Sequence, residues 1–273
     1  MTMHKDALVA STWSGPFAPP DAVPTKADIV IIGGGIVGIS TALFLAREGI
    51  DVVLCEKGHI AGEQSGRNWG WVRVQGRDTR EIPMMLESLR FWDGFNEEFG
   101  EDTGFVRKGC FFTANSEAEL RAFENWANIA KDFDIDTRLI GRTELRQHVH
   151  GSATEWAGAI YTESDGRAEP HLATPAIARA AERSGARIIT SCAVRGLETS
   201  GGSVSAVVTE HGTIQTSTVL CAAGAWTSMF CRSLGINVPQ LKVRGTVART
   251  APAEEVLSGN VFDARLGIRR RMD

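Results

Sequence analysis

Gly33, Gly35 and Gly38 stand at G-x-G-x-x-G spacing, and an acid, Glu56, follows Gly33 by 23 residues. Residues of these types at this spacing can hold a nucleotide diphosphate and its ribose. Gly33 permits a tight turn. Gly35 lets the backbone approach a pyrophosphate where a Cβ would collide, and Gly38 lets a helix pack close to a sheet. Ile36 and Val37 open that helix, whose N-terminal N–H groups and positive dipole end would face the diphosphate. Glu56 can accept hydrogen bonds from an adenosine ribose, whereas an arginine there would suit a 2′-phosphate.

Such a site needs a strand, a glycine turn, a helix and a second strand, in that order. Asp28 to Ile32 is short, apolar and β-branched, which suits a strand buried on both faces. From Ile36 the apolar residues fall at helical spacings, with Gly49 as the stop, and Asp51 to Cys55 is a second apolar strand. This βαβ unit serves an adenosine diphosphate half, which NAD and FAD share. Beyond it, Ala61 to Asp78 is glycine-rich and carries Trp69 and Trp71. A nicotinamide-binding Rossmann domain would proceed there to another αβ unit; a loop this long is the kind that carries function.

The 273 residues allow one large domain or two modest ones, and an apolar share of 43% supports an ordinary core. A formal charge of −4 argues against a nucleic-acid surface, and Arg269 to Arg271 is the one tight basic cluster. The five cysteines form no CxxC pair, which speaks against a zinc knuckle or a thioredoxin-type site and fits a reducing, cytoplasmic setting. Residues 1–24 hold four prolines and no apolar block, and are read as a loose arm rather than a signal peptide. Glycines interrupt the longest apolar stretch, Ile29 to Ala46, and a membrane span would need about 20 mostly apolar residues.

Four segments follow in order: the glycine fingerprint with Glu56-Lys57; Ser65-Gly66-Arg67-Asn68 with Gly70 to Arg73; Asp165 to Ile188; and Ser217 to Phe230. Together they resemble the D-amino-acid-oxidase-like FAD-dependent oxidoreductases, which include sarcosine oxidases, glycine oxidases and D-amino-acid dehydrogenases. The resemblance implies an α/β chain, α+β overall: a Rossmann-like FAD-binding domain interleaved with a mixed-sheet substrate domain. FAD would lie along the βαβ unit. Ser65, Gly66, Arg67 and Asn68 would run past the ribityl chain and flavin ring. Val194 would meet the adenine through its backbone, and Ala223 and Gly224 would return to the diphosphate with Trp226 nearby. The residues are compatible with this by themselves, since Val219 to Ala222 is an apolar strand ending in small residues that permit close approach. Pro170 suits the first turn of a helix, and Arg187 to Thr190 would add a further strand.

On this reading residues 25–104 and 151–235 form the FAD-binding domain and 105–150 with 236–273 the substrate domain. Within the latter, Cys110 to Thr113 is a strand, Ser116 to Phe133 a helix opened by a Ser116/Glu119 capping box, and Gly141 to His150 another short helix. Val243 to Ala248 and Asn260 to Arg269 are further strands. His148 and His150 lack a recognisable third metal ligand and are read as a solvated helix end.

The resemblance implies oxidation of a carbon–nitrogen bond in a small amine or amino acid. Hydride passes to the flavin, and the imine left behind is hydrolysed. Oxygen and another carrier both stand open as the electron acceptor. Arg73 is the candidate polar residue at the flavin face, placed to hold a substrate carboxylate or to stabilise negative charge; a surface ion pair is its competing reading. Relatives continue past the position of Asp273, so a substrate domain cut short is expected, and with it two alternatives: a non-catalytic remnant of the family, or an NAD-dependent Rossmann dehydrogenase.

Overall fold

The strand Ile29–Ile32 (β1) is fully apolar because it lies in the middle of a parallel sheet covered on both faces. A computed structural model describes residues 23–272. The arm expected over 1–24 lies, but for its last two residues, outside them. The chain divides into two units: residues up to 68 with 170–247, and 69–169 with 248–273.

In the first unit β1 leads to helix α1 (Ile36–Arg47) and strand β2 (Val52–Cys55), followed by the short helix α2 (Gln64–Arg67). The chain re-enters at helix α7 (Pro170–Arg183) and strand β9 (Arg187–Ile189). Strands β10 (Val194–Ser200), β11 (Ser203–Thr209) and β12 (Gly212–Gln215) form an antiparallel meander, and β13 (Val219–Cys221) and α8 (Thr227–Ser233) follow. The parallel sheet runs in the order β13-β1-β2-β9. One of its faces takes α1, against which α7 packs. From its other face Val30, Val53 and Cys55 join Val207 and Ile214 of the meander in one buried cluster. The sequence period agrees: Ile31 points to α1, and its neighbour Val30 points to the meander.

In the second unit Trp71–Val72 (β3) and Val106–Arg107 (β4) pair antiparallel with the two sides of Gly166–Arg167 (β8). A five-stranded sheet has the order β15-β14-β5-β7-β6, built from Cys110–Ala114 (β5), Thr137–Gly141 (β6), Gly158–Thr162 (β7), Asn260–Asp263 (β14) and Leu266–Ile268 (β15). Its helices are α3 (Ile82–Phe99), α4 (Glu117–Ala122), α5 (Glu124–Lys131) and α6 (Arg142–His148). Helix α3 begins with a proline in its first turn and ends on Gly100 at φ +62°. Phe91, Phe95 and Phe99 stack along it, and Trp92 meets Phe95 edge-on.

Several expectations are corrected here. The β3-β8-β4 pairing draws 69–104 and 151–169 into the second unit, although both ranges were expected in the first. Residues 236–247 fall in the first unit, where the Gln240 side chain donates to Gly224 O at 3.0 Å. No strand forms over Val243 to Ala248: its alternating pattern finds no pairing partner among the described residues, and Val243 is exposed. The helix expected over Ser116 to Phe133 is two helices that meet at Phe123. Half of its expected capping box is present: Ser116 Oγ accepts from Glu119 N at 3.2 Å, while Glu119 Oε2 accepts from the N–H of Asn115, one residue before the cap. The strand expected over Asn260 to Arg269 is a hairpin, turned where Asp263 Oδ1 accepts from Arg265 N. Among the described residues no helix is long and apolar enough to cross a membrane.

Candidate functional site

At the end of β1 the backbone of Gly33 takes φ +114° and its N–H donates to Cys55 O at 2.9 Å. A Cβ there would lie 2.5 Å from Ala222 O, just past β13. A Cβ at Gly38 would lie 2.0 Å from Gly33 O, so α1 sits directly against the turn that launches it. Gly34, to which the sequence reading gave no role, is equally constrained: its Cβ would meet Ile60 Cδ1 at 2.7 Å and Glu56 Cγ at 2.9 Å. Its position inside the run Gly33-Gly34-Gly35 was the available signal.

Gly35 is the N-cap of α1 and offers no side-chain cap. Ser65, at the start of α2, takes that task from a distance in sequence: its Oγ accepts from Ile36 N at 2.9 Å. The first amide to return to the helix backbone is that of Ile39, to Gly35 O. The amides of Val37 and Gly38 therefore remain available to an outside acceptor, as the first turn of a helix dictates. Val37 is 64% exposed, so this turn is open. Gly66 is required by packing, since a Cβ would lie 2.2 Å from Ala61 O. Asn68 closes α2 by donating through Nδ2 to Gln64 O and Ser65 O, and Arg67 is exposed. Ser65→Ala should cost about 1 kcal/mol of stability, the usual worth of a helix cap, read by urea unfolding.

Glu56 follows β2 directly and is buried. Its Oε2 accepts from Gly34 N at 2.7 Å and its Oε1 from Gly58 N at 2.8 Å. Each oxygen keeps a further lone pair for another donor. The backbone on either side of Glu56 is fixed too: Glu56 N donates to Ile189 O, and Glu56 O accepts from Cys192 N. Val194 begins β10 two residues beyond Cys192 and packs on the sheet's core cluster. Past β13, Ala223 leads into a 3-10 turn, Gly224–Trp226, with Gly224 at φ +50°. Lys57 Nζ lies 3.9 Å from the centre of the Trp226 ring and is paired with Glu63 at 2.7 Å. Gly33 to Gly38, Glu56, Lys57, Ser65 to Asn68, Val194 and Ala223 to Trp226 thus all belong to the first unit. A glycine cradle without intruding side chains, an open helix N-terminus and a carboxylate beside the turn fit an adenine dinucleotide.

Arg73 belongs to the second unit. Its guanidinium lies 5.2 Å from the centre of the Phe112 ring, and Nη1 donates to Gln75 O. Burial lowers its pKa from the ordinary arginine value. Asp165, fully buried, anchors the residues after it by accepting from Val74 N at 2.7 Å and Gln75 N at 3.2 Å. Burial pushes the Asp165 carboxyl up to about 7, although both amide bonds and Arg73 pull the other way. The folded protein therefore binds a proton that the unfolded chain has already lost between about pH 4 and 7. Stability should fall as pH rises through that window and level off above it. Melting temperatures of the protein and of Asp165→Asn across that range should converge in slope only above about pH 7. His148 is not a solvated end: its ring lies 5.0 Å from Phe111 and 5.3 Å from Tyr161, between centroids.

The family model for FAD dependent oxidoreductases (DAO) matches residues 28–271. The chain belongs to this family. It is 28% identical to mitochondrial sarcosine dehydrogenase of Mus musculus over 87% of the chain, which spans 27% of that relative. It is 27% identical to glycine oxidase of Bacillus subtilis, covering 80% of the chain and 59% of the relative. Among solved structures, L-amino acid deaminase from Proteus myxofaciens, determined with anthranilate, matches with a TM-score of 0.81 and 36% identity over 91% of this chain and 57% of that one. The chain thus spans from about a quarter to a little over half of these relatives. DAO family relatives are oxidoreductases of amino-acid and amine carbon–nitrogen bonds, and the family's dependence on FAD decides against the NAD alternative.

Proposed function

We propose that this chain holds FAD along β1, α1 and β2 and serves the oxidation of a carbon–nitrogen bond in a small amine or amino acid. The observation that carries the reading is the glycine cradle closed by Glu56, set in a chain of this family. The diphosphate would lie against Gly33, Gly35 and the amides of Val37 and Gly38, with Ile36 held by Ser65. Glu56 would take the adenosine ribose, with Lys57 beside it. Val194 would border the adenine through its backbone. Ser65, Gly66, Arg67 and Asn68 would follow the ribityl chain, and Ala223, Gly224 and Trp226 would close the diphosphate from the side of β13.

FAD supplies the acceptor for the two electrons that leave the substrate carbon–nitrogen bond. The protein's own work is to bind, orient and keep water from the reacting carbon. Arg73 is proposed to hold a substrate carboxylate through its guanidinium fork, in a position fixed by the Asp165 anchor on Val74 and Gln75. The imine product needs only water to hydrolyse.

The purified protein, loaded with FAD, should reduce an artificial dye when offered sarcosine, glycine or a panel of L-amino acids. Dye reduction by at least one of them, absent in Arg73→Ala, is the expected result. A protein that holds FAD yet reduces no dye with any of them would point instead to a non-catalytic member of the family.

A further inference from the structure

Two of the five free cysteines, Cys55 and Cys192, share one buried cluster at the base of Glu56. Cys55 is the last residue of β2, and Glu56 continues the same strand direction to pair with Ile189 O. Cys192 lies three residues past the end of β9 and reaches this point through an unusual backbone. Ser191 takes φ +50°, a left-handed conformation that disfavours a serine. That bend is held on both sides: Ser191 N donates to Gly58 O at 2.8 Å, and Ser191 O lies 2.8 Å from His211 Nε2. Its consequence is that Cys192 N reaches Glu56 O, at 2.8 Å, and Cys192 joins Cys55, the residue before Glu56, in the same buried cluster.

We propose that Cys55 and Cys192 form a reversible disulfide that ties the end of β2 to the turn before β10, across the backbone of Glu56. The contact with Cys55, helped by Thr209 and His211, draws the Cys192 thiol below its ordinary pKa, while the same contact and burial push Cys55 up. Cys192, next to the exposed Ser191, is the attacking sulfur. Both thiols are buried, but Ser191 beside Cys192 is exposed, so a small oxidant such as hydrogen peroxide suits the site. The Cys192 sulfur attacks a peroxide oxygen, the O–O bond breaks, and the leaving hydroxide takes the Cys192 thiol proton and departs as water. The Cys55 sulfur then attacks the sulfenic sulfur, the S–O bond breaks and water leaves with the thiol proton. The two thiols lose two electrons in all, and one peroxide becomes two waters.

The test treats the folded protein with peroxide, unfolds it in denaturant, alkylates the thiols left free and maps the digest by mass spectrometry without reduction. The expected result is a Cys55–Cys192 linked peptide, loss of two of the five alkylatable thiols, and their return with dithiothreitol. A second thiol pair, Cys221 with Cys231, is the internal comparison. A digest in which Cys55 and Cys192 stay alkylated, or in which the crosslink joins Cys221 to Cys231 alone, would overturn the proposal. Neither readout depends on bound FAD.

Discussion

Gly38→Ala should lower the melting temperature by about 5–10 °C, the equivalent of an overpacking cost of roughly 2–3 kcal/mol. The added methyl would stand 2.0 Å from Gly33 O and 3.3 Å from Ile31 Cγ2. The first of these is a backbone atom of the glycine turn, so no side-chain rotation relieves it; α1 must move away from β1. That movement displaces the amides of Val37 and Gly38, so FAD uptake should fail along with stability. Gly49→Ala is the comparison. Its φ of +76° disfavours alanine, but a Cβ there meets nothing within 4 Å. It should cost about 1 kcal/mol and leave FAD uptake intact. Differential scanning fluorimetry with and without FAD separates the two variants. Equal losses in both would show that helix–turn contact is not what Gly38 provides.

The second large effect is expected at Glu56. Glu56→Gln keeps the size of the side chain but turns one acceptor oxygen into a donor. Gly34 N and Gly58 N each need an acceptor, and one of them would then face an N–H group. Leaving a buried donor unpaired costs about 1–3 kcal/mol, which equilibrium unfolding in urea would register. The charged acceptor proposed for the ribose is lost at the same time. FAD affinity should fall about 10- to 100-fold, the worth of a hydrogen bond to a charged group. Titration followed by flavin fluorescence checks this. An unchanged affinity with lowered stability would leave Glu56 a structural residue of the turn.

What the sequence made legible is what its local chemistry decides. The strand, glycine turn, helix and strand of residues 28–55 could be read because β-branched runs, helical spacing and glycine each act over a few residues. Gly33, Gly35, Gly38 and Glu56 were read from their spacing and most other proposed site residues of the first unit came from the resemblance; the structure adds physical causes for two of the latter. Ser65 caps α1 from 29 residues away, and Gly66 is demanded by Ala61 O. Neither cause is a pattern in sequence. The two units divide the chain at other residues than the expected domains for the same kind of reason. Whether 69–104 belongs with the first or second unit depends on Trp71 pairing with Arg167, which no local signal marks. Val243 to Ala248 shows the converse: an alternating apolar pattern states a preference for a strand, but a strand also requires a neighbour. The three-stranded meander β10-β11-β12 was not legible, since its strands are defined by pairing that no local pattern marks, whereas α3 did carry a local signal in aromatic residues at helical spacing.

The central claim is that this chain holds FAD, and it can be tested without knowing the substrate. The protein is purified, a sample is denatured, and the released small molecules are separated and their visible spectrum recorded; a second sample is incubated with added FAD first. The expected result is a flavin spectrum that chromatography identifies as FAD. A colourless supernatant from a folded protein that also takes up no added FAD would contradict the claim.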